Sequence, residues 1–407
     1  MKFTKEEILT MALTGDHYYS NEDLRINKKI GIMLNNQKLN DYLNYKESIE
    51  NEAKVILPLL SFNSKSIFYY NSCELSNAIN DYFIFFKNNS STQETIISEN
   101  YDEIILSRVA SELEGTLKIE GVNTTRKKIL EIVKEKKVKN ANEQIILNMC
   151  EGYSFNSKRP PFTKDNLREL YRILSKDSLP KTDEIKDYYR TEMVMIGGHD
   201  GCSIDKIEAC MDSLFKFVND NLEVNNPLLP FIAHYYLLYV HPYIDFNGRT
   251  ARMVSLWISM LMKMEGYLPT FISEAINDDK ANYYKAIDNS RNSCNDLTYF
   301  LTYLYQLSNK YYLVYKNINE IKKNLAKEGE GLTATESYYL KRIIINKKYG
   351  WFNYRGFINF CGLDITKQGA LKILNNFVKH QILQSRINSK NEKIFIMNED
   401  FLKYELN

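Results

Sequence analysis

From about residue 101 to 325, apolar residues recur at three- and four-residue intervals. That spacing predicts successive amphipathic helices over 142–152, 165–175, 203–220, 227–240, 248–265 and 296–315. The stretch 188–201, YYRTEMVMIGGHDG, breaks the rhythm. Its apolar and polar residues alternate and run into Gly-Gly, which predicts a short β-hairpin or an extended loop. Residues 1 to about 100 alternate short helical patterns with polar breaks at 63–66 and 87–93, and the second break closes an N-terminal helical region, 1–100. A charged, glycine-containing segment at 322–336 supplies a second boundary, giving domains at 101–325 and 330–407. In the last of these the pattern predicts helices at 334–347, at 354–361 and from Thr366 to about His380, then an alternating stretch with a polar tip over 383–398.

Composition agrees with a mainly α chain. Gly is only 16 and Pro only 8 in 407 residues, so few breakers interrupt the periodic runs. Hydrophobic residues at 44% and charged residues at 26% exclude a disordered or collagen-like chain. The net charge of +2 announces no global field for a nucleic acid or a membrane. The six cysteines are scattered without a CxxC, which argues against a disulfide framework or a zinc site. No signal-like start or membrane-spanning apolar run is present, so the expectation is a reduced, cytoplasmic protein with no membrane partner. Nothing in the sequence opposes homo-oligomerisation. Helix, helix, turn, helix and hairpin in the last domain is the order of a winged helix-turn-helix. Its third helix offers Lys367, Gln368, Lys372 and Asn375, and its hairpin Arg386 and Lys390. Either DNA or a protein surface would suit residues 330–407 as a partner.

The chemistry concentrates in twelve residues, HPYIDFNGRTAR, from His241 to Arg252. His241 follows an apolar helix and carries the side chain whose ordinary pKa lies nearest neutrality. Asp245 is a hard oxygen ligand suited to Mg²⁺ with phosphates completing the shell. Phe246, Asn247 and Gly248 stand where a loop enters the next helix, so their N–H groups can face an anion. Arg249 and Arg252 present two guanidinium forks on nearly one helix face. Base, metal ligand, anion nest and paired arginines describe phosphoryl or nucleotidyl transfer.

This stretch resembles the signature of the Fic family, HPFx(D/E)GNGRxxR, whose members mostly transfer AMP from ATP to protein hydroxyls. It matches at the His, Pro, Asp, Asn, Gly and both Arg, with Tyr243 in place of Phe. YYRTEMVMIGG resembles the family's flap, and the likeness extends over roughly 105–310. The resemblance implies a helical Fic core with a β-hairpin flap, in which Val194, Met195, Ile196 and Gly197 clamp the target backbone. It implies His241 as base, Asp245 as the Mg²⁺ ligand, and Asn247, Gly248, Arg249 and Arg252 on the nucleotide phosphates. Upstream, TLKIEG (116–121) is similar to the family's inhibitory pattern (S/T)xxxE(G/N), which implies that Glu120 engages Arg252 and blocks seating of the γ-phosphate. Glu114 forms a competing frame that lacks the Ser or Thr four positions earlier.

Two positions depart from the family. Phe246 replaces the usual Gly in the anion nest; its side chain is tolerable at negative φ, with the ring packed away and the N–H left to phosphate, and a serious departure if the position needs positive φ. In the adenine pocket, Tyr284 is present, but the Asn expected seven residues later is Arg291, with Asn292 beside it. The implied partners are ATP and a protein bearing a Ser, Thr or Tyr hydroxyl, including the chain itself. Removal of AMP by water is the reverse-direction counterpart. Rival readings are transfer of UMP or phosphocholine, and a DNA-binding regulator with an inactive core. His234 reads as a core histidine, His199 as part of the flap, and His17 and His380 stand apart.

Overall fold

A computed structural model of the chain describes residues 54–87, 112–122, 124, 126–135, 137–180, 187–224, 226–263, 272–346, 350–361 and 365–402. It is mainly helical, with three short two-stranded antiparallel sheets among the described residues. Most of the N-terminal region, including His17, lies outside the described residues. Where that region is described it differs from the all-helical expectation. β1 (Lys54–Ile56) pairs with β2 (Phe68–Tyr70) before helix α1 (Cys73–Lys87). The β-branched and aromatic residues of these strands favour a pleated surface.

The chain divides into two compact units at Ser308/Asn309. In the first, α7 (Leu229–Val240) is buried on nearly every face, as its almost wholly apolar sequence requires. It packs along α8 (Asn247–Leu261), against which α5 (Lys164–Ser175) and α4 (Ala141–Ser157) also pack, with α3 (Arg126–Glu135) on α4. α6 (Ile204–Asn221) lies on α7. Asn140 and Thr163 cap α4 and α5 by accepting the Glu143 and Asn166 N–H groups. Asn156 and Trp257 tie this layer together, donating to the Met253 and Pro160 carbonyls. β3 (Met195–Ile196) and β4 (His199–Asp200) form the hairpin expected in 188–201, turning through Gly197 and Gly198 at φ +55° and +83°.

The division falls inside α11 (Thr298–Lys327) and not at the charged segment 322–336. Lys and Glu are good helix formers, so charge alone does not end a helix. Val314, Ile318, Ile321 and Leu325 recur at helical spacing and join the core of the second unit. That unit contains α12 (Ala334–Ile345), α13 (Tyr354–Cys361), α14 (Lys367–Lys379) and the hairpin of β5 (Leu383–Ile387) with β6 (Lys393–Met397). Thr333 and Glu336 close a capping box on α12, and an isolated bridge pairs Phe352 with Phe395.

Candidate active site

Before the site helix, the chain makes a tight loop. His241 caps α7 in the left-handed region, φ 54°, with its N–H on the Leu237 carbonyl. Asn247 braces the loop that follows: its Nδ2 donates to the Tyr243 carbonyl at 2.8 Å and its Oδ1 accepts the Tyr243 N–H at 3.0 Å. Its side chain, expected on the nucleotide, is thus committed to the loop, leaving only its N–H for an anion. Tyr243 is buried and stacks on Tyr171 with ring centroids 3.6 Å apart.

Phe246 overturns the expectation of negative φ. Its φ is +65°, and its N–H donates to the Asp245 carboxylate at 2.5 Å and not outward. A side chain in this region costs roughly 1–2 kcal/mol. Burial of the ring and the Arg249 guanidinium lying 3.5 Å from its centroid offset that cost. The ring therefore sits against a phosphate-ligand candidate.

The two arginines of α8 differ sharply. Arg249 is buried, yet its Nε and Nη1 have no hydrogen-bond partner among the described residues, and Asp245 stands 3.9 Å from its Nη2. Burial lowers its pKa. Desolvated, unmet donors on a cation are an anion site in waiting. Arg252 is satisfied: Nε donates to Thr116 Oγ1 at 2.8 Å, and Nη2 to Glu120 Oε1 at 2.6 Å and to the Thr116 carbonyl at 3.4 Å.

The partners of Arg252 come from helix α2, described from 112 to 119, and from Glu120 in the turn directly after it. Gly121, φ +80°, ends it in a Schellman-type turn in which Val122 N–H reaches the Leu117 carbonyl. Thr116 and Glu120, four apart, share one face. Glu120 meets the first turn of α8 so closely that a Cβ on Gly248 would lie 2.7 Å from its Oε1. Burial alone would raise the Glu120 pKa, but Arg252, with Arg249 and Lys280 behind it, holds it below the usual range. The same pair, against burial, raises the Arg252 pKa.

Three further contacts seat this helix. Buried Glu112 accepts the Ser273 N–H at 3.0 Å and also its hydroxyl. Burial raises its pKa to about 7 despite those bonds. Gly115 touches the Ser273–Glu274 backbone at the start of α9 (Ile272–Asp278), where any Cβ would collide. Lys280 donates to the Ile119 carbonyl. Glu114 instead pairs with Lys118 at 2.6 Å, so only the frame ending in Glu120 reaches Arg252.

His241 itself is largely buried, and burial pulls its pKa to about 4, opposed by the Leu238 carbonyl. Its imidazole is neutral at pH 7. Asp245 is 59% exposed at its side chain, and no group of three metal-ligating side chains occurs among the described residues. A lone exposed carboxylate beside anion donors fits Mg²⁺, which keeps its waters and takes phosphate oxygens.

Of the flap residues, Met195 and Gly197 are exposed and Val194 and Ile196 half-buried. Arg291 donates to the Ile196 carbonyl at 3.2 Å, so it braces the flap from α10 (Lys280–Asn292). Tyr284 is 44% exposed on α10, and its pKa is raised by burial and by Glu120. Asn292 is exposed at the end of that helix, about 12 Å of axial rise beyond Tyr284. His234 is buried and bonded through Nε2 to the Tyr283 hydroxyl at 2.9 Å.

Sequence reasoning missed Arg190. Buried, it donates to the carbonyls of His241 (2.8 Å), Glu192 (2.6 Å) and Cys202, locking the roots of the hairpin to the loop that begins at His241. Its only sequence signal was a charge inside an apolar alternation.

Residues 161–259 match the Fic/DOC family model, a span that contains the loop and most of α8. Over 100 residues the chain is 31% identical to the protein adenylyltransferase Fic of Drosophila grimshawi, and 30% identical over 100 residues to that of Drosophila mojavensis. Each match covers 24% of this chain, and 19% and 18% of those proteins, so the chain spans about a fifth of the length of these curated relatives. Among solved structures, a Fic family protein from Desulfovibrio desulfuricans G20 has a similar fold, with a TM-score of 0.51 and 16% identity. The match covers 81% of this chain and 97% of that one. The likeness to that family model covers residues 161–259, and the loop that begins at His241 lies inside it with both arginines of α8.

Proposed function

We propose that this protein is an adenylyltransferase that moves AMP from ATP to a Ser, Thr or Tyr hydroxyl of a protein, and that Glu120 restrains it. The observation that carries this reading is the pair of arginines on one helix, one with unmet donors and one held by a carboxylate from α2. The reaction is protein-OH + ATP → protein-O-AMP + pyrophosphate. His241, neutral at pH 7, takes the hydroxyl proton while the oxygen attacks the α-phosphorus and the bond to the β-phosphate oxygen breaks. Arg249 and the first-turn N–H groups of α8 offset charge on the phosphates. Asp245 would hold Mg²⁺, which supplies further neutralisation of that charge. The flap hairpin, braced by Arg291 and Arg190, would lay the target backbone beside His241.

Restraint follows from competition. A γ-phosphate and the Glu120 carboxylate need the same Arg252 donors, and the carboxylate is already in place. With AMP on a target side chain, Glu120 would also be placed to orient a water for its removal. Phe246 and Arg291 favour a second reading, a donor other than ATP, because both alter the surroundings of the expected nucleotide.

The test is self-labelling of the full chain with Mg²⁺ and, separately, ATP, UTP and CDP-choline, read as added mass. Gain of the AMP mass supports the proposal. Gain of UMP or phosphocholine alone replaces it with the second reading, and no gain from Glu120→Gly with any donor removes both.

A further inference from the structure

We propose that the C-terminal unit binds duplex DNA, with α14 entering the major groove and the β5–β6 hairpin following the backbone beside it. Charge first points there. Residues 309–407 hold 17 Lys and Arg against 9 Asp and Glu, a net of +8, while the whole chain carries +2, which leaves 1–308 at −6. The near-neutral total hides a strongly basic unit attached to an acidic one, the asymmetry expected where one part of a chain meets a polyanion.

Part of that positive charge lies on α14 and the hairpin. At 100° per residue, Lys367, Gln368, Asn375 and Lys372 fall within about 140° of arc on α14. All four are exposed, whereas Ala370, Leu374 and Phe377 on the opposite side are buried in the unit's core. α14 contains no Asp or Glu. The acidic neighbours Glu330 and Glu336 sit instead toward its C-terminal end, on Lys379 and Asn376. Its first two turns are thus left positive, and these are the turns that reach base edges in helix-turn-helix docking.

The hairpin extends this surface. Lys393 on β6 donates to Asn375 Oδ1 at 2.7 Å, so strand and helix are neighbours along the exposed face. Arg386 on β5 is exposed, and its guanidinium stands over Trp351, 4.2 Å from the ring centroid. Lys390 stands at the tip of a turn ordered by the Asn388 side chain. The hairpin's one carboxylate, Glu392, is half-buried and faces Asn353 at 3.5 Å. A B-form major groove about 12 Å wide admits such a helix, and an A-form RNA groove does not. The exposed face of α14 bears no aromatic ring for stacking unpaired bases, which disfavours single strands.

The test is fluorescence anisotropy of a labelled 30-base-pair mixed-sequence duplex with the full chain, at several salt concentrations. Binding should reach Kd of about 10⁻⁴–10⁻⁶ M near physiological salt and tighten steeply as salt falls. Lys367→Ala/Lys372→Ala should weaken binding about tenfold or more and reduce the salt slope by about 2, with the unfolding midpoint unchanged. Lys216→Ala, on the first unit, should leave binding as it was. No duplex binding at low salt, equal weakening by Lys216→Ala, or tighter binding to single-stranded DNA or to RNA of the same sequence would each overturn the proposal.

Discussion

The loop 241–249 and the seated helix α2 hold the two arginines of α8 by different physics. The loop is held at its own backbone: by left-handed turns at His241 and Phe246, and by the Asn247 and Arg190 side chains bonded to its main-chain groups. These bonds leave Arg249 desolvated with its Nε and Nη1 donors unmet. The α2 side is fixed through side chains that titrate or can swing away: Glu120 and Thr116 on Arg252, and Glu112 on Ser273. One region is preorganised for an anion, and the other supplies an anion of its own. On the proposed function, the first sets the rate and the second sets how often the site is open.

The largest expected effect breaks the loop side alone. His241→Ala should reduce self-labelling about 10²–10⁴-fold, the range for loss of general-base help, while nucleotide binding by calorimetry changes little. The pH profile sharpens this. With the imidazole lowered to about 4, the base stays neutral well below pH 6, so the rate should hold from pH 8 to about 5 and fall only as pH approaches 4. A fall centred near 6.5 would mean that the titrating group is an unperturbed histidine and that His241 is not buried in the working state.

Next comes the α2 side. Glu120→Gly removes a charge-assisted contact worth about 1.5–3 kcal/mol, so labelling should rise about 10–100-fold. Adding Arg252→Ala should cancel the gain, because the arginine is then lost to phosphate as well. Glu114→Gly should have no such effect, since Glu114 is paired with Lys118. Activation by Glu114→Gly without activation by Glu120→Gly would reverse the assignment of the two carboxylates.

The two sides were unequally legible in the sequence. The loop is contiguous, and residue types alone placed a base, a carboxylate and two guanidiniums within twelve positions. TLKIEG stood out only through its resemblance to the family's inhibitory pattern, and its Glu120 lies on Arg252. What joins the sides was not legible. Arg190 lies 51 residues from the carbonyl it binds, Lys280 lies 161 residues from Ile119, and Glu112 lies 161 from Ser273; no local pattern encodes such pairings. The positive φ of Phe246 was hidden for another reason. A bulky residue argues locally against the left-handed region, and only the buried ring and Arg249 outweigh that preference. In the second unit the helix order was legible from periodicity, while the core residues 314–325 were masked by the charges between them.

Phe246 gives a middle-sized test on the loop side. Phe246→Gly relieves about 1–2 kcal/mol of backbone cost but removes a buried ring, a loss of about 3–5 kcal/mol for truncation to Ala. The net should be roughly 2 kcal/mol of destabilisation, seen as a lower unfolding midpoint. The labelling rate should change less than tenfold, because the left-handed turn and the Asp245 contact survive in glycine. A gain of several orders of magnitude would show instead that the ring blocks the anion site beside Arg249.

The smallest expected effect lies where the two regions touch. Gly248 has no positive φ to require glycine, yet a Cβ there would come within 2.7 Å of Glu120 Oε1 and 3.3 Å of Arg252 Nη1. The first atom is the far end of a side chain, so it can retreat without moving the backbone. Gly248→Ala should therefore loosen Glu120 without removing it, raising labelling about two- to fivefold, the equivalent of about 0.5–1 kcal/mol. Alanine also suits the first turn of a helix better than glycine, by about 0.5–1 kcal/mol, so the unfolding midpoint should rise slightly and not fall. The same substitution in the Glu120→Gly background should give no further gain, since the carboxylate it displaces is already gone. If Gly248→Ala lowers labelling equally in both backgrounds, the glycine serves phosphate approach on the loop side. Its closeness to Glu120 would then be a consequence of that requirement, and the restraint would rest on Arg252 alone.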